Sequence, residues 1–123
     1  MKLRIRAQTL RIRISPTELE QVRQKEKIES SIHFPNGSTL SYSLEASDQE
    51  DTKIIFEDTV IAIRLSPTDI ETITDDANVG IQSMHTTAHG ALDLLIEKDF
   101  TCLHPRGIED ADTFPNPNQK DIA

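Results

Sequence analysis

The segment Leu10-Arg11-Ile12-Arg13-Ile14-Ser15-Pro16-Thr17-Glu18-Leu19-Glu20 returns 51 positions later as Ile61-Ala62-Ile63-Arg64-Leu65-Ser66-Pro67-Thr68-Asp69-Ile70-Glu71. Alignment of residues 2–28 with residues 53–79 gives seven identities, and most other matches exchange one aliphatic residue for another. A repeat of this kind is the signature of a duplicated supersecondary unit. The chain is therefore predicted to contain two copies of one unit, related by a pseudo-two-fold axis.

Each copy opens with two strands and a helix. Residues 2–6 and 10–14 alternate apolar and charged side chains, which is the period of a half-buried strand. Ser15 can cap a helix that has Pro16 at its first position, and Glu18 completes a capping box. The second copy repeats this pattern over residues 53–56, 60–65 and 66–69.

Each copy closes with a hairpin. In the first copy, residues 28–34 and 39–44 flank a Pro-Asn-Gly turn, and in the second copy residues 79–84 and 91–96 flank residues 86–90. One copy alone cannot cover its apolar face. The predicted fold is α+β: two strand–strand–helix–strand–strand repeats form an about eight-stranded, mostly antiparallel curved sheet, or a closed barrel, with two short helices.

The domain organisation follows from the repeat. We predict a single domain over residues 1–104, built of repeats 1–46 and 52–98. Residues 105–123 are rich in Asp, Pro and Asn and are predicted to form an extended or disordered C-terminal tail.

Composition limits the classes of function. The net charge is −8, but residues 1–40 carry eight Lys or Arg against four Glu, whereas residues 41–123 carry five against 17 acids. The negative net charge of the chain argues against nucleic-acid binding. One cysteine and the absence of long apolar runs predict a soluble cytoplasmic protein that does not act in a membrane. No motif indicates a cofactor, and a homodimer or a protein partner remains open.

Several short motifs are similar to a family of small, uncharacterised bacterial proteins that carries only the description of a domain of unknown function. The resemblance rests on the Lys-x-Arg-x-Arg motif at residues 2–6 and on two motifs near the C-terminus, Glu97-Lys98-Asp99-Phe100 and Phe114-Pro115-Asn116-Pro117. It implies an autonomous bacterial domain. It brings no activity, cofactor or catalytic residue.

Two sets of residues are candidates for a binding site. Arg4, Arg6, Arg11 and Arg13 lie on the charged side of the first two strands, where they could form a fork for phosphate or carboxylate groups. Of these arginines only Arg13 recurs in the second copy, as Arg64, so an Arg13/Arg64 pair near two helix starts could meet an anion on the pseudo-axis. The alternative is cross-strand pairing with acids.

The second set is Asp99, Cys102 and His104, whose side chains are those that bind zinc and other divalent metals. The chain has no second cysteine and no paired ligand motif, so a small core cysteine and solvated acids are the competing interpretation. The sequence thus favours a binding or interaction module. A small enzyme or metal-binding protein at these residues, and a purely structural dimer or complex subunit, are the alternatives.

Overall fold

The computed structural model describes residues 1–100 and Phe114. Cys102, His104 and the predicted tail apart from Phe114 lie outside these residues. Eight strands and two helices follow each other in the predicted order: β1 (Lys2–Arg6), β2 (Thr9–Ile14), α1 (Pro16–Arg23), β3 (Ile28–His33), β4 (Thr39–Ala46), β5 (Lys53–Glu57), β6 (Val60–Leu65), α2 (Pro67–Thr74), β7 (Gly80–Thr87) and β8 (Gly90–Lys98).

The strands form two separate sheets of four. Sheet A has the order β1-β2-β8-β7 and sheet B has the order β3-β4-β6-β5. The prediction of one eight-stranded sheet or a closed barrel is therefore wrong for the described part of the chain. The broader prediction of two short helices and mostly antiparallel strands is confirmed. Of the described strand pairs, only the central pairs β2–β8 and β4–β6 are parallel.

The helices explain the division into two sheets. Each helix carries the chain away from its opening hairpin, so the closing hairpin joins the other sheet. The opening hairpin of each copy then pairs with the closing hairpin of the other copy. Matching hydrogen bonds join the two central pairs: the Asp93 N–H donates to the Gln8 carbonyl at 2.8 Å, and the Ser41 N–H donates to the Thr59 carbonyl at 3.0 Å.

The predicted helix starts are present, with one difference between the copies. At α1 the Glu18 N–H donates to Ser15 Oγ at 3.2 Å, and the Ser15 N–H donates to Glu18 Oε1 at 2.9 Å, which is a complete capping box. At α2 Asp69 replaces the glutamate and is one methylene shorter. There the Ser66 N–H donates to Thr52 Oγ1 at 2.9 Å, and the Thr52 hydroxyl donates to the Asp69 carboxylate.

One cluster of buried apolar side chains joins both sheets and both helices. Strand alternation supplies most of it, since every second residue of the central strands points inward. Its most deeply buried members are Ile12, Ile14, Leu94 and Ile96 from sheet A, Leu44, Ile63 and Leu65 from sheet B, and Val22 and Ile73 from the helices. The opposite sides of both sheets are left for solvent or ligands. Neither described helix is long and apolar enough to span a membrane.

Candidate functional site

Five cationic side chains share the outer side of β1 and β2. Because Leu3, Leu10 and Ile12 between them face the core cluster, strand alternation directs the cations to the opposite side. We call this surface the arginine face, and it consists of Lys2, Arg4, Arg6, Arg11 and Arg13. The four arginines are the candidates that the sequence indicates, and Lys2 follows from the same alternation.

The pairing of β1 with β2 arranges the arginine face as a ladder. Arg4 lies opposite Arg11 and Lys2 lies opposite Arg13, while Arg6 lies opposite Thr9. Directly paired residues are about 5 Å apart between Cα atoms, and successive rungs follow each other at about 6.7 Å. Two of the three rungs therefore place like charges directly across from each other, an arrangement that destabilises a sheet.

Only part of this positive charge is balanced by neighbouring acids. Lys2 Nζ lies 3.0 Å from Asp99 Oδ2, and Arg11 Nε lies 2.9 Å from Glu97 Oε1. The remaining three cations, Arg4, Arg6 and Arg13, are exposed and make no ion pair or hydrogen bond within the described part of the chain. Their guanidinium donors are thus available to a ligand.

The surface between these side chains is concave. One depression of about 400 Å³ is lined by residues of β1, β2 and β8, namely Arg4, Arg6, Thr9, Arg11, Asp93 and Leu95. A second, of about 200 Å³, is lined by Lys2, Leu3, Arg4, Arg11 and Arg13. Arg4 and Arg11 line both depressions, so the same two arginines can reach an anionic group on either side of their rung.

The structure does not bring Arg64 to this surface. Arg64 lies on β6 in sheet B, where its Nε donates to Glu45 Oε1 at 3.1 Å. Arg13 occupies the corresponding position in sheet A, and its cross-strand neighbour is Glu97. Glu97 is paired with Arg11, whereas the second copy has Ala62 at the position of Arg11. Among the described residues Arg13 therefore has no acidic partner, whereas Arg64 is paired, and the two arginines lie in different sheets.

The proposed metal trio cannot be assembled from the described residues. Cys102 and His104 lie outside them, and Asp99 is engaged by Lys2 and by the backbone. The Asp99 N–H donates to the Ile14 carbonyl at 2.8 Å, and the Asp99 carbonyl accepts from the Phe114 N–H at 2.7 Å. Over residues 1–100 and Phe114, no three His, Cys, Asp or Glu side chains are grouped to hold a metal ion.

The sequence analysis missed a cleft of about 760 Å³ that is lined by residues 50–54, the start of α2 and β7. In it Ser83 Oγ and His85 Nε2 are 2.8 Å apart, because residues two apart on a strand share a face. The alternation of Ile81, Ser83 and His85 was the signal for this pair. No described group bonds the other imidazole nitrogen, so the third member that orients a catalytic histidine is missing from the described residues.

The chain belongs to a family of unknown function (DUF7009), whose model matches residues 1–118. The match covers all ten of the described secondary-structure elements and the whole arginine face, and it confirms the resemblance to an uncharacterised domain family. Neither the curated proteins nor the solved structures contained a match to this chain.

Proposed function

We propose that this protein is a binding module that recognises anionic groups through the arginine face. The observation that carries the proposal is the ladder of like charges at Arg4/Arg11 and Lys2/Arg13, with three arginines lacking an acidic partner among the described residues. The chain as a whole has a net charge of −8, so this concentration of cations is local.

The outer side of sheet B provides an internal comparison. By the same alternation it carries two cations, Lys53 and Arg64, and three acids, Glu29, Glu45 and Glu57. The outer side of sheet A carries the five cations of the arginine face and two acids, Asp93 and Glu97, and Asp99, just after β8, adds a third acid beside Lys2. Since the two sheets are built from the same repeat, the excess of positive charge in sheet A is not a requirement of the fold.

Arginine suits phosphate and carboxylate groups because its planar guanidinium presents parallel N–H donors to two oxygens of one anion. An anion bound between Arg4 and Arg11 would also remove their mutual repulsion. We infer a ligand with at least two anionic groups, one for each of the two depressions that these arginines line.

Calorimetric titration with pyrophosphate at low ionic strength tests this proposal. We expect binding by the unmodified protein, and a loss of affinity of about tenfold or more in Arg4→Gln because charged hydrogen bonds are removed. Arg64→Gln is the matched control, since it removes an exposed arginine from the corresponding side of sheet B. No binding by the unmodified protein, or equal weakening by both substitutions, would contradict the proposal.

We further propose that the protein acts in the bacterial cytoplasm, where its single cysteine would remain reduced. A partner protein also fits this module, because Ile5, next to the arginine face on β1, is 58% exposed. Native mass spectrometry of the purified protein would distinguish a monomer with a retained small anion from a dimer or a complex.

A further inference from the structure

Among the residues that the structure describes, the first strand lies at an open edge of sheet A. β1 pairs with β2 on one side and with no other strand of the described chain. The two-residue turn at Ala7 and Gln8 closes on the pair Arg6 and Thr9, and such turns close on a hydrogen-bonded pair. It follows that Leu3 and Ile5 direct their backbone N–H and C=O groups away from β2, toward the open edge.

The side chains of β1 are ordered by sign and polarity. Lys2, Arg4 and Arg6 point outward, and Leu3 and Ile5 point to the apolar side. Ile5 is 58% exposed although it faces the same side as the core residue Leu10 across from it. A further strand along this edge would cover Ile5 and would place its own outward side chains beside the three cations.

We propose that the partner of the arginine face is an extended acidic segment of another protein, which adds to β1 as a fifth strand of sheet A. This inference rests on the proposed function and names the class of ligand. Side chains on one face of an extended peptide recur at about 6.7 Å, the spacing of the cations on β1. The segment would alternate acidic residues, opposite Lys2, Arg4 and Arg6, with apolar residues beside Ile5.

Charge on an edge strand also prevents accidental pairing. The charges of β1 have one sign, so β1 repels a second copy of itself and favours an acidic strand. The corresponding edge strand β5 carries Lys53 and Glu57 and has no such selectivity. A single-stranded nucleic acid is disfavoured, because the lining of the two depressions contains no aromatic side chain on which bases would stack.

A labelled peptide of about eight residues that alternates glutamate with valine spans the whole of β1 and is the direct probe. Two further peptides of the same sequence are N-methylated: the first at every valine amide and the second at every glutamate amide. An added strand directs only one of these two sets of N–H groups toward β1. The valine N–H groups face β1 if the strand is antiparallel, and the glutamate N–H groups face β1 if it is parallel. A peptide held by charge alone has no such asymmetry.

We expect fluorescence anisotropy to show that one N-methylated peptide binds at least about tenfold more weakly than the other, because hydrogen bonds to the edge are lost. A peptide with lysine in place of glutamate should not bind. Equal affinities of the two N-methylated peptides would overturn the added strand. If pyrophosphate still binds in that case, the proposed function stands; if neither pyrophosphate nor any peptide binds, both proposals fail.

Discussion

Arg4 on β1 and Arg11 on β2 lie directly opposite each other on the outer side of sheet A. Arg11 is held by Glu97 at 2.9 Å, whereas Arg4 has no ion-pair partner within the described residues. The pair costs stability in the free protein and becomes favourable when an anion lies between the two guanidinium groups. Stability and binding are thus opposed at this rung, as is common at functional sites.

Arg4→Gln should raise the free energy of unfolding by a few tenths of a kcal/mol at low ionic strength, because it removes the cross-strand repulsion between Arg4 and Arg11. The gain should disappear in high salt, where exposed charges are screened. Arg64→Gln should instead lower the free energy by up to about 0.5 kcal/mol, since it breaks the pair with Glu45. Urea denaturation at two salt concentrations measures both effects.

Ile5 and Ile12 lie on the same side of sheet A, but they differ in burial and should respond differently to truncation. Ile12→Ala should cost about 3 kcal/mol, because Ile12 is fully buried in the shared core. Ile5→Ala should cost less than about 1 kcal/mol in the free protein, since much of its side chain is exposed. If Ile5→Ala were as destabilising as Ile12→Ala in denaturant titrations, Ile5 would not be available to a partner strand.

The hydroxyl of Thr52 is predicted to be essential to the start of α2. Thr52→Val should lower the free energy of unfolding by about 1–3 kcal/mol, because the buried Ser66 N–H would lose its acceptor. Thr86→Val, at an exposed position on β7, is the control and should change it by less than about 0.5 kcal/mol. Equal effects of the two substitutions would show that Thr52 does not replace the capping box.

Lys98 is predicted to be coupled to Phe114. Its side chain is buried, its Nζ donates to the Asp75 carbonyl at the end of α2 at 2.9 Å, and it lies 5.4 Å from the centre of the Phe114 ring. A double-mutant cycle with Lys98→Met and Phe114→Leu should give an interaction energy of about 0.5–2 kcal/mol. Strictly additive effects in thermal or chemical unfolding would exclude the cation–π contact in solution.

Local features of the fold could be predicted from the sequence because they depend on neighbouring residues. The Ser-Pro-Thr motifs mark the starts of both helices, and the alternation of apolar and polar residues indicates the buried side of each strand. The pairing of β2 with β8 could not be predicted. Leu10 meets Leu94 across that pair, but alternating aliphatic residues fit any neighbouring strand equally well.

The same limit applies to the candidate site. Arg4 and Arg11 form a cross-strand pair because a tight turn joins β1 to β2, and a turn between neighbouring strands can be predicted from the sequence. The separation of Arg13 from Arg64 depends on the exchange of hairpins between the copies, which no local pattern records. Pairing of Glu97 with Arg11 likewise depends on a strand that lies far along the chain.

An NMR titration that follows the arginine Nε–H signals while pyrophosphate is added is the decisive test of an anion site on the arginine face. We expect the signals of Arg4, Arg11 and Arg13 to move together and to saturate at one ligand concentration, while the signal of Arg64 stays in place. Equal movement of all arginine signals, or no movement at any of them, would contradict an anion site on the arginine face.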